Sequence, residues 1–476
     1  MAMGKFKFNF KMKKKVLILL PDGIGLRNFA YSDFYNKLSK QNSVLFWNNT
    51  EFPLKQKLNI NEFPLINTKT HNLTDIIKTA KNKIELKLNS IAFKDEVYLS
   101  YIFKNKIISI KTLLKKALVN FFVTFYNSKK GIEKLNKYIN YLERKTILYR
   151  NALEQLKEIN PGVVFCTNQR NSVAIAPILA AKDLHIKTIT FIYSWDNLPK
   201  ATLVIEPDYY FVWSDFMRDE LKMYYPQIKY SQIRVTGSPQ FELHFDKELE
   251  VKKKSFFIEY NLDLDKKYLC FSGDDVTTSP YDEYYLEDLA KTVVALNKEG
   301  NNLGIIYRKC PVDFTGRQNK IIDKYKDVIF PIDPMWNDLG NSWNKVMPLK
   351  RDLELLTNTI KFSEIVINVG SSMVFDAVAK NKPCAYINYN TNKGDVSKWD
   401  INKIYKFIHF KSMPSSKAVL WINKKDDLKK VILDSLNGQV SLNETKKWFD
   451  KIVKTPQNQA SENIVKEINK ILNEKN

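Results

Sequence analysis

The chain is poor in the residues that make metal and redox chemistry. Its 476 residues hold four cysteines, Cys166, Cys270, Cys310 and Cys384, far apart and with no CxxC pair. Three of them end or lie within apolar runs (VVFC, KYLC, PCAYI), so they read as small buried residues in a reducing compartment. The four histidines are scattered as well, which excludes a zinc constellation. No apolar run reaches the roughly 18 residues of a membrane-spanning helix. The opening KKKVLILLPDG has an apolar core of only five residues before Pro21. That is too short for a secretory signal and reads as the first buried strand of a cytoplasmic protein. No Asp-x-Asp stands at a strand end in a setting that suits a divalent ion. Metal-independent chemistry without a cofactor is therefore expected.

A local absence is equally informative. Residues 97–130, VYLSYIFKNKIISIKTLLKKALVNFFVTFYNSKK, contain seven lysines and no acidic residue. Apolar and aromatic residues interleave with the lysines at spacings that suit a helix. One reading is an inserted helical pair with a solvated basic face. The other is a surface that lies on anionic lipid, with aromatics at the interface and lysines toward phosphates. The segment 5–15, KFKFNFKMKKK, alternates like a strand or arm and would add to it. Neither follows a nucleic-acid motif, so no nucleic-acid partner is expected.

What is present points to two filled domains. Hydrophobic residues make up 44% and aromatics 13% of the chain, too much for disorder. A chain of 476 residues exceeds one ordinary core. The net charge of +23 suits an anionic partner, although a general excess of lysine, asparagine and isoleucine accounts for part of it.

Short apolar runs alternate with helical patterns. They are VLILL (16–20), SVLFW (43–47), GVVFCT (162–167), KTITFIY (187–193), YYFVW (209–213) and QIRVTG (232–237). After the charged segment 246–255 the series restarts with KYLCFSG (267–273), LGIIYR (303–308), DVIF (327–330), EIVINVG (364–370) and PCAYINY (383–389). Strands apolar on both faces and separated by helices form parallel sheets covered on both sides. The expectation is an α/β protein with two Rossmann-like doubly wound domains facing across a cleft. The first covers 1–245 with a helical insertion at about 74–160, the second 256–455, and a last helix in 456–476 returns to the first domain. Ligands in such sheets bind beyond the carboxyl ends of the strands.

Chemistry is therefore sought in the loops that follow strands. In INVGSSMVFDAVAKNKP (367–383), Gly370 ends a strand and frees the backbone to turn, and Ser371 and Ser372 open a helix. One hydroxyl caps the helix and the other is available to a phosphate; a plain double-serine cap is the competing reading. In IIYRKCPVDF (305–314) a strand delivers Arg308 and Lys309, followed by Cys310 and Pro311. Two cations there suit a pyrophosphate or a sugar carboxylate. FSGDDVTTSP (271–280) places Ser272 and Gly273 before the adjacent Asp274 and Asp275, facing a phosphate-bearing ligand or the hinge. In the first half, LLPDGIGLRNF offers Asp22 as a base with Arg27 close behind, and IYSWDNLPK offers Asp196 beside Trp195 and Asn197. Asp196 and Asp22 are the catalytic candidates, while Trp195, Asn197 and Arg27 beside them are candidates for binding a substrate, which a transferase would use as its acceptor.

The R-x-(H)-P pattern at 308–311 with G-S-S-x-x-x-D-A-x-x-x-x-K-P at 370–383 resembles the carboxyl-terminal domain of GT-B glycosyltransferases. It is most similar to the bacterial group with cytidine-nucleotide donors: the HP/SS-motif sialyltransferases and polysialyltransferases, and the CDP-glycerol glycerophosphotransferases. YSWDNLPK (193–200), FVWSDFMRDEL (211–221) and VTGSPQFE (235–242) resemble the end of the first domain in bacterial surface-polysaccharide transferases. The resemblance implies transfer from a nucleotide sugar, CMP-linked first, to a glycan or lipid-linked acceptor at the inner membrane face. It also places Asp376 near the ribose or sugar. Cys310 stands where the group has histidine, so a UDP- or GDP-sugar stays open. The layout and GSP at 237–239 also resemble non-hydrolysing UDP-GlcNAc 2-epimerases, without the arginine- and glutamate-rich carboxyl-terminal pattern of that family. A non-catalytic membrane-docking scaffold is the remaining alternative.

Overall fold

The computed structural model describes residues 13–102, 109–338 and 346–474. The basic stretch 5–12 and residues 103–108 of the lysine-rich segment lie outside the described residues.

The first sheet comprises β1 (Lys14–Leu20), β2 (Asn42–Asn48), β3 (Glu62–Pro64), β4 (Val163–Cys166), β5 (Lys187–Phe191), β6 (Tyr209–Val212) and β7 (Ile233–Val235). All its pairings are parallel, in the order β3-β2-β1-β4-β5-β6-β7. Val16 to Leu20 are fully buried, because helices cover both faces of the strand. Phe29 sits edge-on to Phe165 and Phe191, with ring centroids 5.1 and 5.2 Å away, and fills one side.

The second sheet comprises β8 (Lys267–Ser272), β9 (Leu303–Arg308), β10 (Ile329–Ile332), β13 (Ser363–Asn368), β14 (Cys384–Ile387) and β15 (Leu420–Ile422). Its order is β10-β9-β8-β13-β14-β15, again all parallel. A hairpin of β11 (Trp336–Asp338) and β12 (Val346–Pro348) lies outside both sheets. In each sheet the strand order reverses beside the first strand, the place where doubly wound sheets open a crevice. The short strands β3, β11, β12 and β15 have no counterpart among the apolar runs of the sequence, since three or so residues leave too little periodicity to detect.

Between β3 and β4 the chain makes the helical insertion, with helices Thr74–Ala92, Val97–Ser100, Ile110–Phe125, Lys129–Glu143 and Ile147–Ile159. Its buried Glu143 accepts hydrogen bonds from the Thr74 hydroxyl and the His71 amide (3.0 Å), which staples the end of the helix Lys129–Glu143 to the start of Thr74–Ala92. The terminal helix Ala460–Asn473 packs on Phe34–Gln41 of the first domain. Lys14 Nζ donates to the Leu472 carbonyl at 2.7 Å, and Arg234 pairs with Glu467 at 3.2 Å.

Aromatic side chains seal the floor between the domains. Trp195 meets Phe375 at 5.2 Å and Trp448 at 5.8 Å, and Phe241 meets Phe449 at 5.2 Å, all edge-to-face. The cleft therefore opens above a packed apolar hinge, and the carboxyl ends of both sheets face it.

Candidate active site

The cleft encloses about 460 Å³. The loops after β1 and β5 bring Ile24, Arg27 and residues 193–195 to one wall. The loops after β8, β9 and β13 bring residues 272–275, 308–312 and 371–373 to the other. Arg27, Trp195, Ser272, Gly273, Arg308, Lys309, Cys310, Pro311, Ser371, Ser372 and Asp376 all line it. Asp22, Asp196, Asn197 and Gly370 are not among the lining residues.

Each of those four is held elsewhere. Asp22 is buried and accepts from Asn168 Nδ2 (2.8 Å), Asn171 Nδ2 (3.0 Å) and the Ile24 amide (3.2 Å). Burial pushes its carboxyl above the ordinary range, against the pull of those bonds. It organises the loop that presents Arg27. That loop depends on Gly25, where a Cβ would lie 2.5 Å from Leu20 Cδ1 and 2.6 Å from Thr167 Oγ1. Asp196 is ion-paired with Lys200 and accepts from Asn197 Nδ2 at 2.9 Å. Burial works to raise this carboxyl, but Lys200 and the neighbouring His409 outweigh it and hold it below the ordinary range. Asn197 is buried and accepts from Gln169 Nε2 at 2.8 Å. Gly370 has φ +66°, which explains the glycine, yet the close approach it allows is to Phe410 and Ile404, 3.0 and 3.1 Å from where a Cβ would stand. Trp195 lines the cleft but is almost fully buried among Phe375, His409 and Trp448, so its faces are occupied by rings.

The serine pair divides its work. The Ser371 amide donates to Asn368 Oδ1 at 2.9 Å, and its hydroxyl accepts from the Met373 amide at 3.4 Å, a long capping contact. The Ser372 hydroxyl takes no hydrogen bond among the described residues, and it lines the cleft.

Arg308 is buried and gives Nη2 to both oxygens of Asp352, at 3.0 and 2.9 Å. Asp352 also accepts from the Met335 amide (2.9 Å) and Trp336 Nε1 (2.8 Å), so it fixes the arginine and the hairpin tryptophan together. Arg308 Nη1 is buried beside the cleft without a hydrogen-bond partner among the described residues. Lys309 and Arg27 line opposite walls, and neither has an acidic partner among the described residues. Burial pushes the Cys310 thiol up to about 12, so it is neutral.

One acidic group remains. Asp274 lines the cleft with Oδ2 buried and unpartnered, while its amide donates to Asp282 Oδ2 at 2.6 Å. Burial, then the neighbouring Asp282 and Asp275, push its carboxyl well above the ordinary range. Burial raises Asp282 to about 7. Arg317 closes this cluster, donating to the Asp274 carbonyl at 2.8 Å and pairing with Asp313 at 3.1 Å. No group of three or more histidine, cysteine, aspartate or glutamate side chains among the described residues is arranged to hold a metal ion.

Three residues escaped the sequence reading, Trp336, Asp352 and His244, and so did the unpartnered state of Asp274. Trp336 follows a strand inside a proline-rich loop (PIDPMW), a usable signal for a cleft aromatic. Asp352 and His244 carry no local signal, since their partners are 44 and 132 residues away in the chain.

No family model matches the chain, and no curated protein matches it. Solved structures share its fold. A Listeria monocytogenes protein described as a UDP-N-acetylglucosamine 2-epimerase superposes with a TM-score of 0.54 at 12% identity, over 98% of each chain. The UDP-GlcNAc 2-epimerase of Methanocaldococcus jannaschii gives 0.50 at 13% identity, over 96% of this chain and 100% of that one. A glycosyltransferase from Rickettsia africae gives 0.50 at 11% identity, over 98% of this chain and 100% of that one. The fold is GT-B: two Rossmann-like parallel-sheet domains on either side of a cleft. Identities this low speak for the fold alone.

Proposed function

We propose that this protein is a GT-B glycosyltransferase that uses a nucleotide sugar and transfers the sugar to a glycan or lipid-linked glycan. The observation that carries this reading is the pair of cations, Arg27 and Lys309, on opposite walls of one cleft without acidic partners among the described residues. A diphosphate or sugar-phosphate between them would also meet the Ser372 hydroxyl and Arg308 Nη1. Those donors would stabilise the charge that builds on the leaving nucleotide. Trp336 supplies a half-buried ring in the same cleft for the base or sugar. The motif resemblance makes a CMP-linked donor the first choice, with UDP and GDP sugars next.

For the acceptor hydroxyl, an ion-paired carboxylate such as Asp196 is too weak a base, and Asp22 is occupied by two asparagines. We assign that proton to Asp274, whose free Oδ2 borders the cleft. A carboxyl raised well above its ordinary range is, once ionised, a stronger base than a free aspartate, and this also supports a second reading, removal and return of a sugar C–H proton. Two of the fold relatives are described as epimerases.

Thermal-shift titration with CMP, CDP, UDP and GDP, followed by turnover of the matching sugars, tests both. A nucleotide at about 100 times its Kd stabilises the fold by about 2.7 kcal/mol. A transferase releases nucleotide slowly in water and faster with acceptor. An epimerase leaves the sugar attached and takes deuterium from heavy water. No shift with any of the nucleotides would overturn the proposal.

A further inference from the structure

The helix Ile110–Phe125 is apolar on the wrong side for a helix that only packs on its own domain. Val119, Phe122 and Val123 are buried in the core of the insertion. On the outward side Ile110 is 78% exposed, Leu114 61%, Phe121 52% and Phe125 70%. At about 100° per residue these four fall within an arc of roughly 60°, centred nearly opposite Val119. Leu113 and Leu118 flank the arc and are also exposed. This is a continuous apolar ridge along a helix of sixteen residues, about 24 Å long, and the rings of Phe121 and Phe125 lie tilted against each other with centroids 4.7 Å apart. A solvated helix places polar side chains there.

The charges around the ridge have one sign. Lys111 and Lys115 stand along one edge and Lys116 beyond the other, all exposed, and Lys129 and Lys130 follow. Lys83 of the neighbouring helix is close enough to Lys116 and Lys87 that they add to the burial that lowers its pKa. No acidic residue occurs from Ile110 to Lys130. A second copy of this chain docking face to face would set these lysines against their own images. An anionic lipid surface complements them and takes the aromatic ridge into its acyl boundary.

We infer that the helix Ile110–Phe125 is a membrane dock that lies in the interface of an anionic bilayer, apolar ridge down and lysines among the headgroups. No helix among the described residues is long and apolar enough to cross a membrane, so attachment by this element is peripheral. The dock stands independently of the catalytic reading, because it requires no nucleotide.

The full chain should co-sediment with phosphatidylcholine vesicles containing phosphatidylserine, and bind pure phosphatidylcholine at least tenfold more weakly. Lys111→Glu, Lys115→Glu and Lys116→Glu together should reduce affinity roughly a hundredfold. The same reversal at the exposed Lys57, Lys254 and Lys320 should reduce it far less. Phe121→Ser with Phe125→Ser should make the remaining binding fully reversible by salt, whereas the parent retains a salt-resistant part. All these side chains are exposed, and matching thermal melts confirm that the variants fold. Three results would overturn the dock. One is equal binding to neutral vesicles. Another is parent-like binding by the double serine variant, which would mark a plain polyanion patch. The last is a concentration-dependent dimer that Phe121→Asp dissolves while vesicle binding is absent.

Discussion

His244 Nε2 lies 2.8 Å from Asp376 Oδ1, and the other ring nitrogen lies 3.2 Å from Thr357 Oγ1, with all three side chains buried. The histidine belongs to the stretch Pro239–His244 that leaves the first domain, and Asp376 belongs to the helix behind Ser371 and Ser372. One imidazole thus fixes the cleft wall that carries Ser371 and Ser372 to the hinge. His244→Ala should destabilise the protein by about 1–3 kcal/mol, since it leaves the carboxylate and the hydroxyl without their partner. Nucleotide affinity should fall at the same time. His244→Asn keeps one of the bonds and should land between the two in urea denaturation. A stable His244→Ala variant with full nucleotide affinity would show that the hinge and the serine-bearing wall are not coupled through this residue.

Thiol chemistry gives a second check. Burial pushes Cys166, Cys270 and Cys310 to about 12 and raises Cys384 as well, so thiolate is scarce at neutral pH. The native protein at pH 8 should show no rapidly reacting thiol with an aromatic disulfide reagent, and four after denaturation. A fast single-site reaction assigned to Cys310 would mean that the cleft activates it. That would return a reactive group to the position where the resembling transferases carry histidine.

The contrast between these residues explains what was legible in the chain. Strands such as VLILL are readable because burial on both faces removes every polar residue from the run. Ser371 and Ser372 are readable because a glycine with φ +66° and two short hydroxyls break an apolar pattern at a strand end. Whether a loop carboxylate is free is a long-range matter. Asp22 is occupied by Asn168 and Asn171 some 146 and 149 residues on. Asp274 keeps one bare oxygen among the described residues, beside the carboxyls of Asp282 and Asp275. Asp196 is the intermediate case, since the Lys200 that neutralises it is only four residues away and was visible in the same motif.

Acid–base linkage in the first domain supplies the last test. Glu220, on the helix Asp215–Tyr224, is buried with Oε2 unpartnered, and burial raises its pKa from 4.5 to about 8 despite the attraction of Lys451. The folded protein therefore keeps a proton that the unfolded chain releases. Between pH 4.5 and about 8 the native state binds more protons than the unfolded state, so stability falls as pH rises through that window. The limiting slope is about 1.4 kcal/mol per pH unit. Below pH 4.5 both states are protonated and the cost vanishes; above about 8 it is full and constant. Glu220→Gln removes this ionisation and keeps the side-chain shape. Glu242, raised to about 7 chiefly by burial, titrates in both proteins and cancels in the comparison. The variant should match the parent near pH 4.5, gain on it steadily with pH, and hold a constant lead above pH 8. Urea midpoints of the two proteins at half-unit pH steps measure this directly, and parallel curves would mean that Glu220 is hydrated and ordinary in solution.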